Sequence, residues 1–131
     1  MNNAGFNKML FLVAALYDGI LGLGFFIGYQ SIYSMLNITL PENPAYIHLA
    51  AALVFVQGVG YYFVYRNMER NADIVRQGII YKVAYSGVAF YYWARGGLPH
   101  PIFGVLGILD LCFLLLFARY LQSARPAPTP S

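Results

Sequence analysis

The sequence predicts an all-α polytopic membrane protein, one bundle of four transmembrane helices with both termini in the cytoplasm. Three observations carry that expectation. Of 131 residues, 60% are hydrophobic and only 10% charged, against about a quarter charged in ordinary soluble domains, so the charges are too few to cover a water-soluble globule. Four apolar stretches of about 20 residues, each long enough for a hydrocarbon core of roughly 30 Å, account for most of the chain. The basic residues gather at alternate ends of those stretches.

Taken in order, the first span is expected over 9–29. Lys8 precedes it as in a signal peptide, but the apolar run continues past Asp18 to Tyr29 with no small-residue cleavage site, so it reads as a retained helix. The loop 30–44 (QSIYSMLNITLPENP) ends at Pro41 and Pro44. Ile32, Tyr33 and Leu36 in it, with Ile38 beyond, approximate helical spacing and predict a short interfacial helix. Asn37, Ile38 and Thr39 match a glycosylation acceptor, a motif common enough to be read as chance. The second span is expected over 45–65, followed by the charged loop Arg66 to Asp73 (RNMERNAD). The third covers 76–95, and Gly96, Gly97, Pro99 and Pro101 force a tight turn into the fourth over 101–121. Residues 1–121 thus form a single domain, and the proline-rich tail 122–131 reads as disordered.

Lys8, Arg66, Arg70, Arg76, Arg119 and Arg125 fall on one side of these spans and only Arg95 on the other. The positive-inside rule then puts both termini and the second loop in the cytoplasm, and a compact chain of this kind fits a bacterial inner membrane. Tyr29, Tyr33, Tyr46, Tyr91, Tyr92 and Trp93 form an outer aromatic belt, and Tyr61, Tyr62, Tyr65 and Tyr120 an inner one. The net charge of +3 is explained by topology, which leaves no basic stripe for nucleic acid. The single cysteine, Cys112, has no partner for a disulfide or a metal site and reads as a small packing residue.

Inside the spans lie Asp18, Gln57, Lys82 and Asp110. Ionisable residues there cost about 2.5 to 3.5 kcal/mol each on insertion scales and so require a reason. At about 1.5 Å per residue from the cytoplasmic end, Lys82 falls near 9 Å, Gln57 near 12 Å, Asp18 near 14 Å and Asp110 near 16 Å. One polar residue from each helix therefore shares a layer. Small residues mark the faces where helices approach in lipid. Ala14, Asp18 and Gly22 are spaced by four, as are Gly78 and Lys82, while Gly107 and Asp110 are spaced by three, so the charges are expected to point inward. Gly24 and Gly28 add a GxxxG pair, a packing site within the bundle or between protomers.

The resulting expectation is Lys82 flanked by Asp18 and Asp110, with Gln57, Tyr17 and Tyr85 completing a polar network. Two carboxylates sharing one ammonium leave a formal charge of −1, so either one carboxyl keeps its proton or water enters the site. Such a triad suits a proton relay or a cation site, and equally a device that fixes helix register. Lys82 has a further option, since its long side chain can snorkel to the interface. His48, His100 and Glu42 share the outer side, but no ligand-pair spacing such as HxxxH links them, and no metal site is assigned. No nucleophile elbow, phosphate-binding glycine loop or Cys/His pair is present, so no catalytic residue is assigned.

With LYDGILGLGF in the first span, NPAYIHLAAAL opening the second, GIIYK in the third and GILDL in the fourth, residues 8 to 121 resemble the small four-helix bacterial membrane proteins grouped as DoxX-like. The resemblance implies a four-helix fold with the N-terminus inside; it brings no site residue and no activity. The leading functional expectation is a non-catalytic accessory or assembly subunit of a larger membrane complex, or a self-associating bundle. The alternative is a small proton-coupled transporter, or a bundle that binds a lipid or quinone, built on the Asp/Lys/Asp cluster. A third class, an enzyme using an aspartate as acid or base on such a ligand, has no support beyond the buried carboxyls.

Overall fold

The computed structural model describes residues 4–123. The proline-rich tail and Arg125 lie outside the described residues, apart from Gln122 and Ser123, which belong to the last helix. The described chain is four helices: α1 (Ala4–Met35), α2 (Ala45–Arg66), α3 (Ala72–Ala94) and α4 (Ile102–Ser123). Helices α1, α2 and α4 are long and apolar enough to cross a membrane, which suggests an integral membrane protein. Helix α3 is equally long, but Asp73, Arg76, Gln77 and Lys82 make it less apolar.

Helix α1 is longer at both ends than the apolar run predicts. Its 32 residues rise through about 48 Å at 1.5 Å each. Gly28 (φ −112, ψ 22) breaks the helical path, and the segment beyond it includes the expected interfacial turn. The helix is closed by a Schellman motif, with the Asn37 N–H donating to Ser34 O at 3.2 Å and the Ile38 N–H to Tyr33 O at 2.8 Å. Asn37 takes the left-handed conformation this needs, φ 57, which Asn tolerates better than most residues. The asparagine read as a chance glycosylation match is therefore a helix stop.

The other ends are closed just as locally. Asn43 Oδ1 accepts from the Ala45 N–H that opens α2. At the far end of α2, the Asn71 side-chain amide donates to Phe63 O and Asn67 O, both at 2.9 Å. The charged loop thus satisfies carbonyls that a helix end leaves free. Gly96 (φ 75) and Gly97 repeat the Schellman pattern after α3, bonding to Trp93 O and Tyr92 O. His100 Nδ1 then accepts from the Ile102 N–H that opens α4, at 2.9 Å, with Pro101 immediately before the helix.

Successive helices run antiparallel. At one end, the basic end, Phe11 stacks on Phe117 at 5.1 Å and Lys8 lies over the Tyr65 ring. At the other, Phe25 meets Phe103 at 6.1 Å and Phe26 meets His48 at 4.9 Å. The core sits in the basic half, where Leu10, Phe11, Ala14, Tyr61, Val64, Val75, Phe117 and Tyr120 pack together. Outward the bundle presents large apolar side chains such as Ile20, Ile27, Leu53, Ile80 and Leu115, the reverse of a water-soluble surface. Cys112, expected as a packing residue, lies on this exposed face instead; a four-residue step from Ile108, also exposed, keeps it there.

Backbone proximity is greatest between α1 and α2, where glycines interlock. A Cβ on Gly22 would lie 2.5 Å from Phe55 N and 2.7 Å from Ala51 O, and one on Gly58 would lie 2.5 Å from Gly19 N. Only hydrogen fits at either position. Gly78 is covered by the Tyr61 ring, and Gly107 by Phe90 and Ala89. Gly24 and Gly28 meet nothing within 4 Å, so packing inside the chain does not use that pair.

Candidate functional site: a buried ionic layer beneath an apolar cavity

The site is built from one position on each of three helices. The α3 stripe Gly78, Lys82, Ser86 repeats every four residues and is buried throughout. Asp18 projects from the face of α1 that also carries Ala14 and Gly22, and Asp110 from the α4 face that carries Gly107. Lys82 Nζ donates to Asp110 Oδ1 at 2.9 Å and to Asp18 Oδ2 at 3.3 Å. Lys82 is 0%, Asp18 1% and Asp110 5% exposed, so the ammonium does not snorkel to either end and the three groups are out of contact with the bundle surface.

Around the ammonium stand four aromatic rings. The centroids of Tyr17, Tyr61, Tyr81 and Phe113 are 5.6, 5.4, 5.6 and 5.1 Å from Nζ, all within cation–π range. The hydroxyls of Tyr17 and Tyr61 are buried with no hydrogen-bond partner among the described residues. Unmet donors inside a protein are uncommon and costly. Here both belong to rings that face the charged layer.

Gln57 and Tyr85 fall near the layer but do not join the ion pairs. Gln57 Nε2 donates to Gln77 Oε1 at 3.1 Å, an α2–α3 link toward the basic end. The Tyr85 hydroxyl donates to Phe103 O at 3.2 Å, an α3–α4 link toward the far end. Ser86 adds a second such link, its Oγ bonding Gly107 O at 3.0 Å. Sequence reasoning missed Gln77, Ser86, Tyr61 and Tyr81 as site residues. Ser86 was legible as the next step of the Gly78–Lys82 spacing, whereas ring positions around Nζ depend on tertiary approach.

Beyond the layer the far half of the bundle opens into a cavity of about 270 Å³. Its floor lies one helical turn from each polar residue: Leu21 and Gly22 follow Asp18, Tyr85 follows Lys82, Leu106 precedes Asp110 and Val54 precedes Gln57. Phe25, Tyr33, Tyr46, Ile47 and Phe103 form the walls, and no charged side chain lines it. On the opposite side of the layer the aromatic core fills the basic half. The site is therefore closed at one end and hollow at the other.

Among the described residues no three His, Cys, Asp or Glu side chains are placed to hold a metal ion. His48 packs against Phe26 and Tyr29, and His100 caps α4. No family model, curated protein or solved structure matches this chain.

Proposed function

We propose that the chain is a four-span protein of a bacterial inner membrane, with both termini cytoplasmic, that binds an uncharged lipid-soluble molecule in the cavity above the ionic layer and does no chemistry on it. The cavity carries this reading: it is apolar and aromatic in lining, free of charge, and its floor lies one helical turn above the ionic layer. Its volume is a little under the roughly 300–1,000 Å³ of small-molecule sites, enough for one ring or a short chain segment. Five aromatic side chains in the lining favour a ring compound, such as the head of a quinone or an aromatic lipid, over a saturated chain.

The placement of its polar groups supports counting α3 as the fourth span. Lys82 is consumed inside the bundle, Asp73 and Arg76 pair with each other at the basic end, and the outward face shows Ile80, Val83, Val88 and Tyr91. Mean hydropathy over the helix averages these two faces together, whereas lipid meets only the outer one. Lys8, Arg66, Arg70, Arg76 and Arg119 at the basic end supply the cytoplasmic orientation.

A photoreactive, uncharged aryl diazirine tests the reading. Labelling is expected to be saturable and concentrated on Val54, Tyr85 and Phe103, and to be lost in Val54→Trp, which fills the floor. Labelling spread evenly over outward residues such as Ile27, Leu53 and Ile80 would contradict it. The open Gly24–Gly28 face favours a second reading, an accessory or self-associating bundle that packs this stripe on another helix. In that case a Gly24→Leu variant elutes smaller than the parent in mild detergent.

A further inference from the structure

Every charged group at the centre of the bundle is accounted for, and the sum is not zero. Asp18 from α1 and Asp110 from α4 face Lys82 from α3. The rings turned toward them are those of Tyr17 on α1, Tyr61 on α2, Tyr81 on α3 and Phe113 on α4, with Gln57 and Tyr85 near the layer and bonded to Gln77 and the Phe103 carbonyl. None of these brings a positive charge. Among the described residues the arginines sit in the loops and toward the helix ends, with Arg66, Arg70, Arg76 and Arg119 at the basic end and Arg95 at the other. Two carboxylates and one ammonium make −1, and an uncompensated charge in a medium of low dielectric constant costs several kcal/mol even after relaxation.

We propose that the Asp18–Lys82–Asp110 layer is a binding site for one exchangeable proton. Neutrality needs a single positive charge. The space between the carboxylates is already filled by the Lys82 ammonium, which repels a metal ion but leaves the outer oxygen of either carboxyl free to take a proton. Nζ bonds one oxygen of each carboxyl, Asp18 Oδ2 and Asp110 Oδ1, so one oxygen on each side stays outside the ion pairs. The Tyr17 and Tyr61 hydroxyls have no hydrogen-bond partner among the described residues, so neither donates to the outer carboxyl oxygens, which stay open to a proton. The cavity side of the layer is the thinner one, its floor one helical turn away, whereas aromatic core fills the other side. This inference rests on the membrane reading above and is independent of which molecule the cavity holds.

Infrared spectroscopy of the whole chain in maltoside detergent, which has no ester carbonyl, reads the proton directly. The chain has only five Asp and Glu side chains, and Glu42, Glu69 and Asp73 are exposed to water, so the background is low. At neutral pH the wild type is expected to show a carboxylic-acid C=O band equal to one acid group per chain, shifted in heavy water and by isotope-labelled aspartate. Asp18→Asn and Asp110→Asn each leave one carboxylate with Lys82, and each is expected to lose the band completely. A wild type with no acid band overturns the proposal whether or not the variants fold. So does a band that survives in either variant, or one that does not shift in heavy water.

Discussion

Replacing Gly58 by alanine probes one of the two positions where the backbones of α1 and α2 approach most closely. The added Cβ would sit 2.5 Å from Gly19 N and 2.9 Å from Ala15 O, both backbone atoms that cannot rotate away. Ordinary contact begins near 3.4 Å, so α1 and α2 must part by about 0.9 Å where they cross. Overpacking of this kind costs about 1–3 kcal/mol. The proper control is Gly24→Ala on α1, where a Cβ meets nothing within 4 Å. Both substitutions gain the same helix propensity, about 0.8–1.0 kcal/mol, so it cancels in their difference. Titration of the folded protein from maltoside into dodecyl sulfate, followed by circular dichroism, measures that difference. Gly58→Ala is expected to unfold about 1–3 kcal/mol before Gly24→Ala, a factor of roughly 5 to 150 in the equilibrium constant. Equal midpoints for the two variants would refute the interlocked-glycine account of how α1 and α2 pack.

Other perturbations follow from the same geometry. Lys82→Met leaves two buried carboxyls without their cation and is expected to cost about 3–5 kcal/mol; adding Asp18→Asn should recover part of it, and a purely additive double-mutant cycle would show that the two residues are not coupled. His100→Ala removes the acceptor that caps α4 and is expected to cost about 1 kcal/mol, with His100→Asn close to neutral in thermal melts. On a Cys112→Ala background, Glu42→Cys and Leu98→Cys should react with an impermeant maleimide from outside intact cells and Glu69→Cys only after lysis. Protection of Leu98→Cys in intact cells, with Glu42→Cys labelled and Glu69→Cys protected, would remove α3 from the count of spans.

The helices were legible because lipid imposes length and turn residues impose ends. Pro41, Pro44, Gly96, Gly97 and Pro101 set loop positions from local chemistry alone. The extension of α1 to Met35 was not legible, since Gly28 looked like a packing residue and Asn37 like a loop asparagine, and both act through backbone conformation. Depth and spacing put Asp18, Lys82 and Asp110 in one expected layer, and in the structure Lys82 Nζ bonds both carboxylates. The same reasoning put Gln57 and Tyr85 there too. Their side chains instead bond Gln77 and the Phe103 carbonyl, because rotation about the helix axis sets a partner and depth does not. The cavity had no sequence signal at all. It arises because bulky rings fill the basic half while, in the far half, the lining of α1 and α2 includes Gly22, Ala50 and Ala51.

The cavity and its occupant stand or fall on what leaves the membrane with the protein. Extraction in a mild detergent followed by native mass determination of the untreated wild type measures this in one step. The expected result is a chain carrying one non-covalent small molecule, uncharged and lipid-soluble, that is absent from Val54→Trp. A wild-type chain that emerges with nothing bound, or only in stoichiometric complex with a larger protein, would contradict the ligand-binding function.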